Sequence, residues 1–365
     1  MLLDKQEEGA RKIITHCPYC QSPEVVKKGI RKKKLEEIQV YFCKHCEKKF
    51  TPVINRGKTY PLRVILEAVT LFNRLFTLEE IGKKIEEKYG FKLAPQTVTN
   101  WINHYNDYLP VGRMRDFFNL KYKRKDLIEE VHMLHGQIYD YKFHRAKMDC
   151  VLESEFKHYK LKPLREFLEL CAHECPHQIF KDSQKRASEI KNVFNLDEVR
   201  FRSKSNTANR VARFVMQAVA NNKLRHEVLQ EFMLVNDSVT VAVEVPILLD
   251  QDDIIHFQNE LAWKVPLKIN EGEVITGHID IVQVRNGVVH LLDYKPSAKK
   301  VKPIEQLTLY ALAMSRLTSL RLFNFKCAWF DEDDYYEFFP LHVVMKKKKK
   351  LKLKKSEYEL LQKAV

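Results

Sequence analysis

The feature that constrains this chain most is the dipeptide Asn286-Gly287, set between two runs of alternating apolar residues, GEVITGHIDIVQV and GVVHLLDYKP. Asn-Gly supplies the two positive-φ residues of a two-residue hairpin turn, so it fixes the pairing of the strands around it. Residue 285 then pairs with 288, 281 with 292, and Asp280 with Asp293. Two carboxylates at directly opposite positions have Cβ atoms about 5 Å apart and repel each other unless a cation lies between them. Lys295 shares the face of Asp293 by the strand's period of two. The other positions of that face, Val282, Val284, Val289 and Leu291, are apolar, so a solvated polar hairpin does not account for the acids at its end. Acid, acid and base at the end of an apolar face mark a site. Magnesium or manganese is the ion that carboxylate oxygens prefer.

A second constraint is metallic. Cys17-Pro-Tyr-Cys20 and Cys43-Lys-His-Cys46 are CxxC pairs separated by 22 residues, and two such knuckles complete a four-thiolate site for structural zinc. One CxxC alone reads as a redox dithiol, but two within so short a segment read as a zinc ribbon whose ion supplies the folding energy a small core lacks. The loop between them carries Lys27, Lys28, Arg31, Lys32, Lys33 and Lys34. The motif CPYCQS…VVKKG…VYFCKHCEKKFTP resembles the N-terminal zinc ribbons of transposases and related DNA-binding proteins.

Residues 62–75 have helical apolar spacing. Thr77-Leu-Glu-Glu80 is a capping box, Gly90 a helix stop, and Pro95 a first-turn proline ahead of QTVTNWINHYNDYL. Helix, helix, turn, helix is the helix-turn-helix order, similar to the one that follows the ribbon in many transposases. That resemblance makes Gln96, Thr97, Thr99 and Asn100 the groove-facing residues, and Val98, Trp101 and Ile102 the packing ones. An ordinary three-helix core is the plainer reading. Residues 110–200 read as mostly helical. His132, His135, His144, His173 and His177, with Cys171 and Cys175, tempt a metal assignment there, but their spacing matches no zinc template.

Charge points to a polyanion. The chain carries a formal +15, and residues 1–60 alone hold fourteen Lys or Arg against seven Asp or Glu. Residues 346–355 add eight lysines and no acid. DNA or RNA is the common intracellular partner for such blocks. With no run of 18 apolar residues and no secretory-type start, the chain reads as cytoplasmic, with no membrane partner.

Gly277-His-Ile-Asp280, twelve intervening residues, then Asp293-Tyr-Lys295 resembles the PD-(D/E)xK nuclease superfamily. Gln306-Leu-Thr-Leu-Tyr310 matches the QxxxY element of its RecB-like branch, which includes CRISPR-associated exonucleases. Glu244 in VTVAVEVPI matches the acidic residue of the preceding strand, and CAWFDEDDYYEFFPLHVV reads as the closing hairpin. The resemblance covers residues 206–343 and implies a metal-dependent DNA nuclease. In it Asp280, Asp293 and Glu244 hold magnesium or manganese, Lys295 stabilises transition-state charge, and Gln306 and Tyr310 position the site. Many members carry a metal-binding His on an early helix. Here that helix matches Asn206–Arg210, with Arg210 at the His position, and His226 beside Glu227 is the substitute if a later helix is the right match. An iron–sulfur cluster is not expected, because Cys150, Cys171, Cys175 and Cys327 lack the closely spaced trio of relatives that hold one.

The expected architecture is therefore multidomain. A zinc ribbon occupies 1–57, an all-α helix-turn-helix 58–110 and a mostly helical connection 111–203. A restriction-endonuclease-like α/β core with a mixed central sheet occupies 204–343, and a basic tail 344–365. Its expected partners are DNA and other mobile-element or defence proteins. The rival expectations are a non-catalytic DNA-binding regulator or transposition accessory protein with a decayed nuclease core, and an RNA-directed enzyme.

Overall fold

The computed structural model describes residues 16–32, 37–51, 60–155, 158–182, 185–191, 193–196, 201–219 and 221–345. Lys33, Lys34 and the basic run 346–355 lie outside them. At the N-terminal end, β1 (Val25–Lys32), β2 (Glu37–Cys43) and β3 (Lys49–Phe50) form an antiparallel sheet in that order. Its core is small: Cys17, Tyr41, Cys43 and Phe50.

Three helices follow, α1 (Leu62–Asn73), α2 (Leu78–Tyr89) and α3 (Pro95–His104). Their ends obey local chemistry. Thr77 Oγ1 accepts from the Glu80 amide at 3.2 Å, while the Glu80 carboxylate accepts from the Thr77 amide at 2.8 Å. Gly90 closes α2 in the left-handed region at φ 73°, and Pro95 opens α3.

Beyond α4 (Arg115–Lys121) the expectation of a mostly helical connection is corrected. Residues 129–143 form a hairpin of β4 (Glu129–His135) and β5 (Gln137–Phe143), turning at Gly136 with φ 79°. The period of two was present in the sequence: Met133 and His135 on one strand, Tyr141 and Phe143 on the other, are all buried. The charged residues interleaved between them gave the stretch a helical look. Helix returns in α5 (Arg145–Asp149), α6 (Lys162–His173) and α7 (His177–Asp182).

The remaining elements complete one large sheet. They are β6 (Lys185–Arg186), β7 (Arg202–Ser203), α8 (Thr207–Val215), α9 (Arg225–Asn236), β8 (Thr240–Leu249), α10 (Gln251–Ile255), β9 (Ile275–Arg285), β10 (Val288–Tyr294), α11 (Ile304–Thr318), β11 (Phe325–Phe330), β12 (Tyr335–Phe338) and α12 (Leu341–Val344). The strand order is β4-β5-β8-β9-β10-β11-β12-β7, with β6 alongside β9. Neighbours on the main path are antiparallel except β10 and β11, which are parallel and joined through α11. The hairpin β4–β5 joins this sheet through Lys142↔Val243 and Phe143↔Ala242, so the sheet begins well before residue 204. Asn286 and Gly287 have φ 51° and 71°, and the strands pair from Arg285↔Val288 to Ile281↔Leu292 in the expected register. The expected closing hairpin is β11–β12.

The helical unit is not a free-standing module. Val64, Ile65 and Val69 of α1 share one apolar core with Ala212 and Val215 of α8, Leu229 and Phe232 of α9, and Tyr294 of β10. A buried amide pair joins α1 to α9: Asn73 Nδ2 donates to Asn236 Oδ1 at 2.8 Å, and Asn236 Nδ2 donates to Thr70 Oγ1 at 2.9 Å. Asn236 is fully buried, so removing its partner leaves an unsatisfied polar group. Asn73→Ala is expected to lower stability by about 1–3 kcal/mol. Urea denaturation checks this, and an unchanged midpoint contradicts the shared core.

Candidate active site

Strand pairing brings the acids together. The ladder of β9 and β10 is paired through Ile281↔Leu292, and the next positions are Asp280 and Asp293. The Tyr294 amide donates to Asp280 Oδ2 at 3.2 Å. On the other side of β9, Val243↔Ile281 and Val245↔Ile279 bracket Glu244, setting it beside Asp280. Glu244 has φ 52°, a left-handed backbone in mid-strand that costs energy for a residue with a Cβ. Such strain gathers at sites where the side chain must point a particular way.

The supporting contacts come from two helices and the end of β10. Lys295 Nζ lies 2.9 Å from Asp293 Oδ1. Gln230 Nε2 on α9 donates to Glu244 Oε1 at 2.6 Å and to the Asp280 carbonyl at 3.2 Å. His226 Nδ1, one turn earlier on α9, lies 3.5 Å from Asp280 Oδ2. Gln306 Nε2 donates to Tyr310 Oη at 2.9 Å, joining the i and i+4 residues of α11. Gly277 is required by close approach: a Cβ there meets Tyr310 Cε1 at 2.6 Å. Glu244, Asp280, His226, Gln306 and Tyr310 line one cleft of about 420 Å³. Of the six residues expected to carry chemistry, Glu244, Asp280, Gln306 and Tyr310 line this cleft, and the other two, Asp293 and Lys295, pair with each other beside Asp280. Arg210 lies apart: it lines a separate cavity with Asn206 and Arg285. The helix that reaches the acids is α9 rather than α8, and His226 is the imidazole it brings.

The electrostatics are those of too many carboxylates for one lysine. Burial, then the neighbouring Asp280 charge, pushes Glu244 up to about 8. Burial and Asp280 also hold Asp293 well above the ordinary carboxyl range. Burial would raise Asp280 too, but hydrogen bonds from His226 and Asp293, with the charges of His226 and Lys295, hold it below its usual value. For Lys295, burial is outweighed by Asp293 and Asp280, and the ammonium stays charged. Asp293 is 1% exposed, and its carboxylate is met by the Lys295 ammonium at 2.9 Å and by the Asp280 carboxylate. A buried carboxylate beside two further carboxylates is an oxygen donor set that fits a hard divalent cation.

The sign of the pH effect follows. Glu244 has a raised value in the folded state, so its contribution to stability is full below the unfolded value of 4.5 and is lost as pH rises toward about 8. The metal-free protein is expected to melt lower at pH 8 than at pH 5, by several degrees at roughly 2–4 °C per kcal/mol. Glu244→Gln should flatten this slope, and Mn²⁺ at pH 8 should restore the wild-type melting temperature. Parallel pH profiles for the two proteins, read by differential scanning calorimetry, contradict the assignment.

The N-terminal cysteines converge as expected. Cys17 Sγ lies 3.6 Å from Cys46 Sγ, Cys20 Sγ lies 3.6 Å from Cys43 Sγ, and all four sulfurs fall within 4.8 Å of one another. This arrangement fits a tetrahedral structural zinc. Cys43→Ser is expected to cost the ribbon its zinc and its fold, because the ion supplies most of the folding free energy of so small a core. Elemental analysis of wild type and variant checks it, and equal zinc in both overturns it.

The other expected contacts are dispersed. Gln96 and Asn100 are exposed on α3 and hydrogen-bonded to each other at 3.0 Å, with Thr97 and Thr99 half-buried beside them. Val98 and Trp101 are buried as packing residues. Lys32 is exposed at the end of β1, 3.7 Å from Glu37. Cys150, Cys171 and Cys327 are buried in the main apolar core. Sequence reasoning missed Gln230, whose only signal was its place one turn after His226.

The chain is similar to the "Insertion element ISM1 uncharacterized 48.3 kDa protein" of Methanobrevibacter smithii, at 31% identity over 100 residues. That match takes in 23% of this chain and 25% of the relative, so the chain spans about a quarter of the length of the curated relative it matches. No family model matches the chain, and no solved structure matches it significantly. Among the described residues, no helix is long and apolar enough to cross a membrane.

Proposed function

We propose that this protein is a metal-dependent deoxyribonuclease of the PD-(D/E)xK type, acting in a mobile-element setting and directed to DNA by its N-terminal ribbon and helices. The observation that carries the reading is Asp293: fully buried, opposed by Asp280 and paired with Lys295 at 2.9 Å, in a cluster with more carboxylates than cations. Further support comes from the order of elements around it. Helix α9, three antiparallel strands β8, β9 and β10, helix α11 and a parallel β11 follow one another in the sequence. That is the order expected of the resembled nuclease core. His226 answers the departure at Arg210, because it supplies an imidazole beside Asp280. The likeness to an insertion-element protein supports the mobile-element setting.

In this reading Asp280, Asp293 and Glu244 hold magnesium or manganese. When bound, the ion supplies Lewis-acid polarisation of the phosphate and a lower pKa for an attacking water. The chain's own groups do the rest. Lys295 presents a fixed positive charge where negative charge develops on the phosphate oxygens. His226 and the Tyr294 amide orient the Asp280 carboxylate, and Gln230 orients Glu244. Tyr310 braces β9 at Gly277, and Gln306 holds the Tyr310 hydroxyl in place.

The test is cleavage of supercoiled and linear DNA, single- and double-stranded, with Mg²⁺, Mn²⁺ or EDTA. Wild type is expected to nick only with the divalent ion. Asp280→Ala and Asp293→Asn should abolish nicking while leaving DNA binding intact. Lys295→Ala should lower turnover roughly 10²–10³-fold, the usual cost of removing one charge-stabilising donor. A wild-type protein that binds DNA and nicks under no metal overturns the enzyme and favours the non-catalytic regulator.

A further inference from the structure

Outside the carboxylate cluster, three soft or borderline ligands meet on the other flank of the cleft. His135 ends β4, His177 begins α7, and Cys175 precedes it across Pro176. Their donor atoms all lie within 4.8 Å of one another, although 40 residues separate His135 from Cys175 in the chain. His135 Nε2 is 2.8 Å from His177 Nδ1. The second nitrogen of His135 is also engaged: Nδ1 lies 2.8 Å from His278 Nε2. A histidine that gives one nitrogen to a metal and fixes its ring through the other is the usual arrangement around protein-bound ions. The rings are packed as well as bonded. Phe180 of α7 stacks on His135 at 4.3 Å and 14°, and Tyr139 stacks on His278 at 3.5 Å and 7°.

We propose that His135, Cys175 and His177 form a second metal site, selective for a borderline divalent ion such as Zn²⁺, that clamps α7 against β4 at the rim of the cleft. Two imidazole nitrogens and one thiolate suit Zn²⁺ and are poor ligands for Mg²⁺, so Mg²⁺ does not displace an ion held here. Three protein ligands leave a fourth position for water or another donor. His177 is exposed and Cys175 half-buried, so the ion has a path in from solvent. Binding asks for a small adjustment: two bonds of about 2.0–2.1 Å at a tetrahedral centre hold their nitrogens roughly 3.3 Å apart. The two rings therefore separate by about half an ångström from their 2.8 Å contact. A bare chain of hydrogen-bonded imidazoles, His278–His135–His177, explains both short contacts but gives Cys175 no role.

The clamp's position gives it a consequence. His278 lies two residues before Asp280 on β9, and His135, Phe180 and His278 line the same cleft as Glu244 and Asp280. An ion on His135 and His177 thus fixes the wall that faces the carboxylates. The site itself does not rest on the nuclease reading, and metal stoichiometry tests it without any assay of cleavage.

The full chain, purified without chelator, loaded with Zn²⁺ or Co²⁺ and dialysed against excess Mg²⁺ to clear the carboxylates, is expected to keep two equivalents of tightly bound ion, one in the ribbon and one here. His177→Ala and, separately, Cys175→Ser should each hold one. His177 is exposed, so that variant is expected to fold, as circular dichroism checks. Cys175 supplies an independent readout by mass spectrometry of iodoacetamide-treated peptides. Zn²⁺ should slow its alkylation at least tenfold in wild type and leave it unchanged in His177→Ala. A wild-type protein holding one equivalent at saturating Zn²⁺, with Cys175 alkylated equally fast with and without the ion, overturns the proposal and leaves the imidazole chain as the account of these contacts.

Discussion

Two carboxylates held opposite each other on neighbouring buried strands set the terms for the rest of this structure. At 4–5 Å and an effective dielectric near 20, such a pair costs roughly 3–4 kcal/mol if both are charged. A fold keeps that arrangement only by sharing a proton, by supplying positive charge, or by binding a cation. The first two are in evidence around Asp280 and Asp293, and the donor set leaves room for the third. Asp293 is driven toward its protonated form, Lys295 stands 2.9 Å away, and the carboxylates outnumber the cations around them. Glu244 adds a third acid on a strained backbone, which increases the demand for a cation. The rest of the core braces this geometry through Gln230 behind Glu244, the Tyr294 amide against Asp280, and Tyr310 pressed on Gly277.

What could be read from the residues was local chemistry with a fixed length. The Asn286-Gly287 turn dictated the β9–β10 register, and with it the meeting of Asp280 and Asp293. The Thr77–Glu80 capping box, Gly90 and Pro95 set the ends of α2 and α3. The CxxC pairs named four ligands that converge. What escaped reading needed long-range packing. The β4–β5 hairpin carries charges between its buried residues, and its pairing with β8 is a long-range contact that no local signal marks. The stretch Asn206-Thr-Ala-Asn-Arg210 draws the early-histidine match to α8, which places Arg210 where the histidine is expected. Only the packing of α9 beside β8 brings His226 to Asp280.

The same packing changes how the N-terminal helices relate to the core. Read along the chain, α1, α2 and α3 look like a module on a string. In the fold, α1 lies on α8 and α9, and the buried Asn73–Asn236 pair leaves little freedom between the helices and α9. Since α9 also carries Gln230 and His226, α1 packs directly on the helix that touches the carboxylates.

The central claim, that Asp280, Asp293 and Glu244 form a divalent-cation centre, is open to direct observation. Crystals of the protein grown metal-free and soaked in Mn²⁺ should be measured with anomalous diffraction above the manganese edge. The account predicts one strong peak among these three carboxylates, in contact with both aspartates and displacing Lys295 from Asp293. A map with no peak there, in which Lys295 stays bound to Asp293 and the acids share a proton, contradicts it.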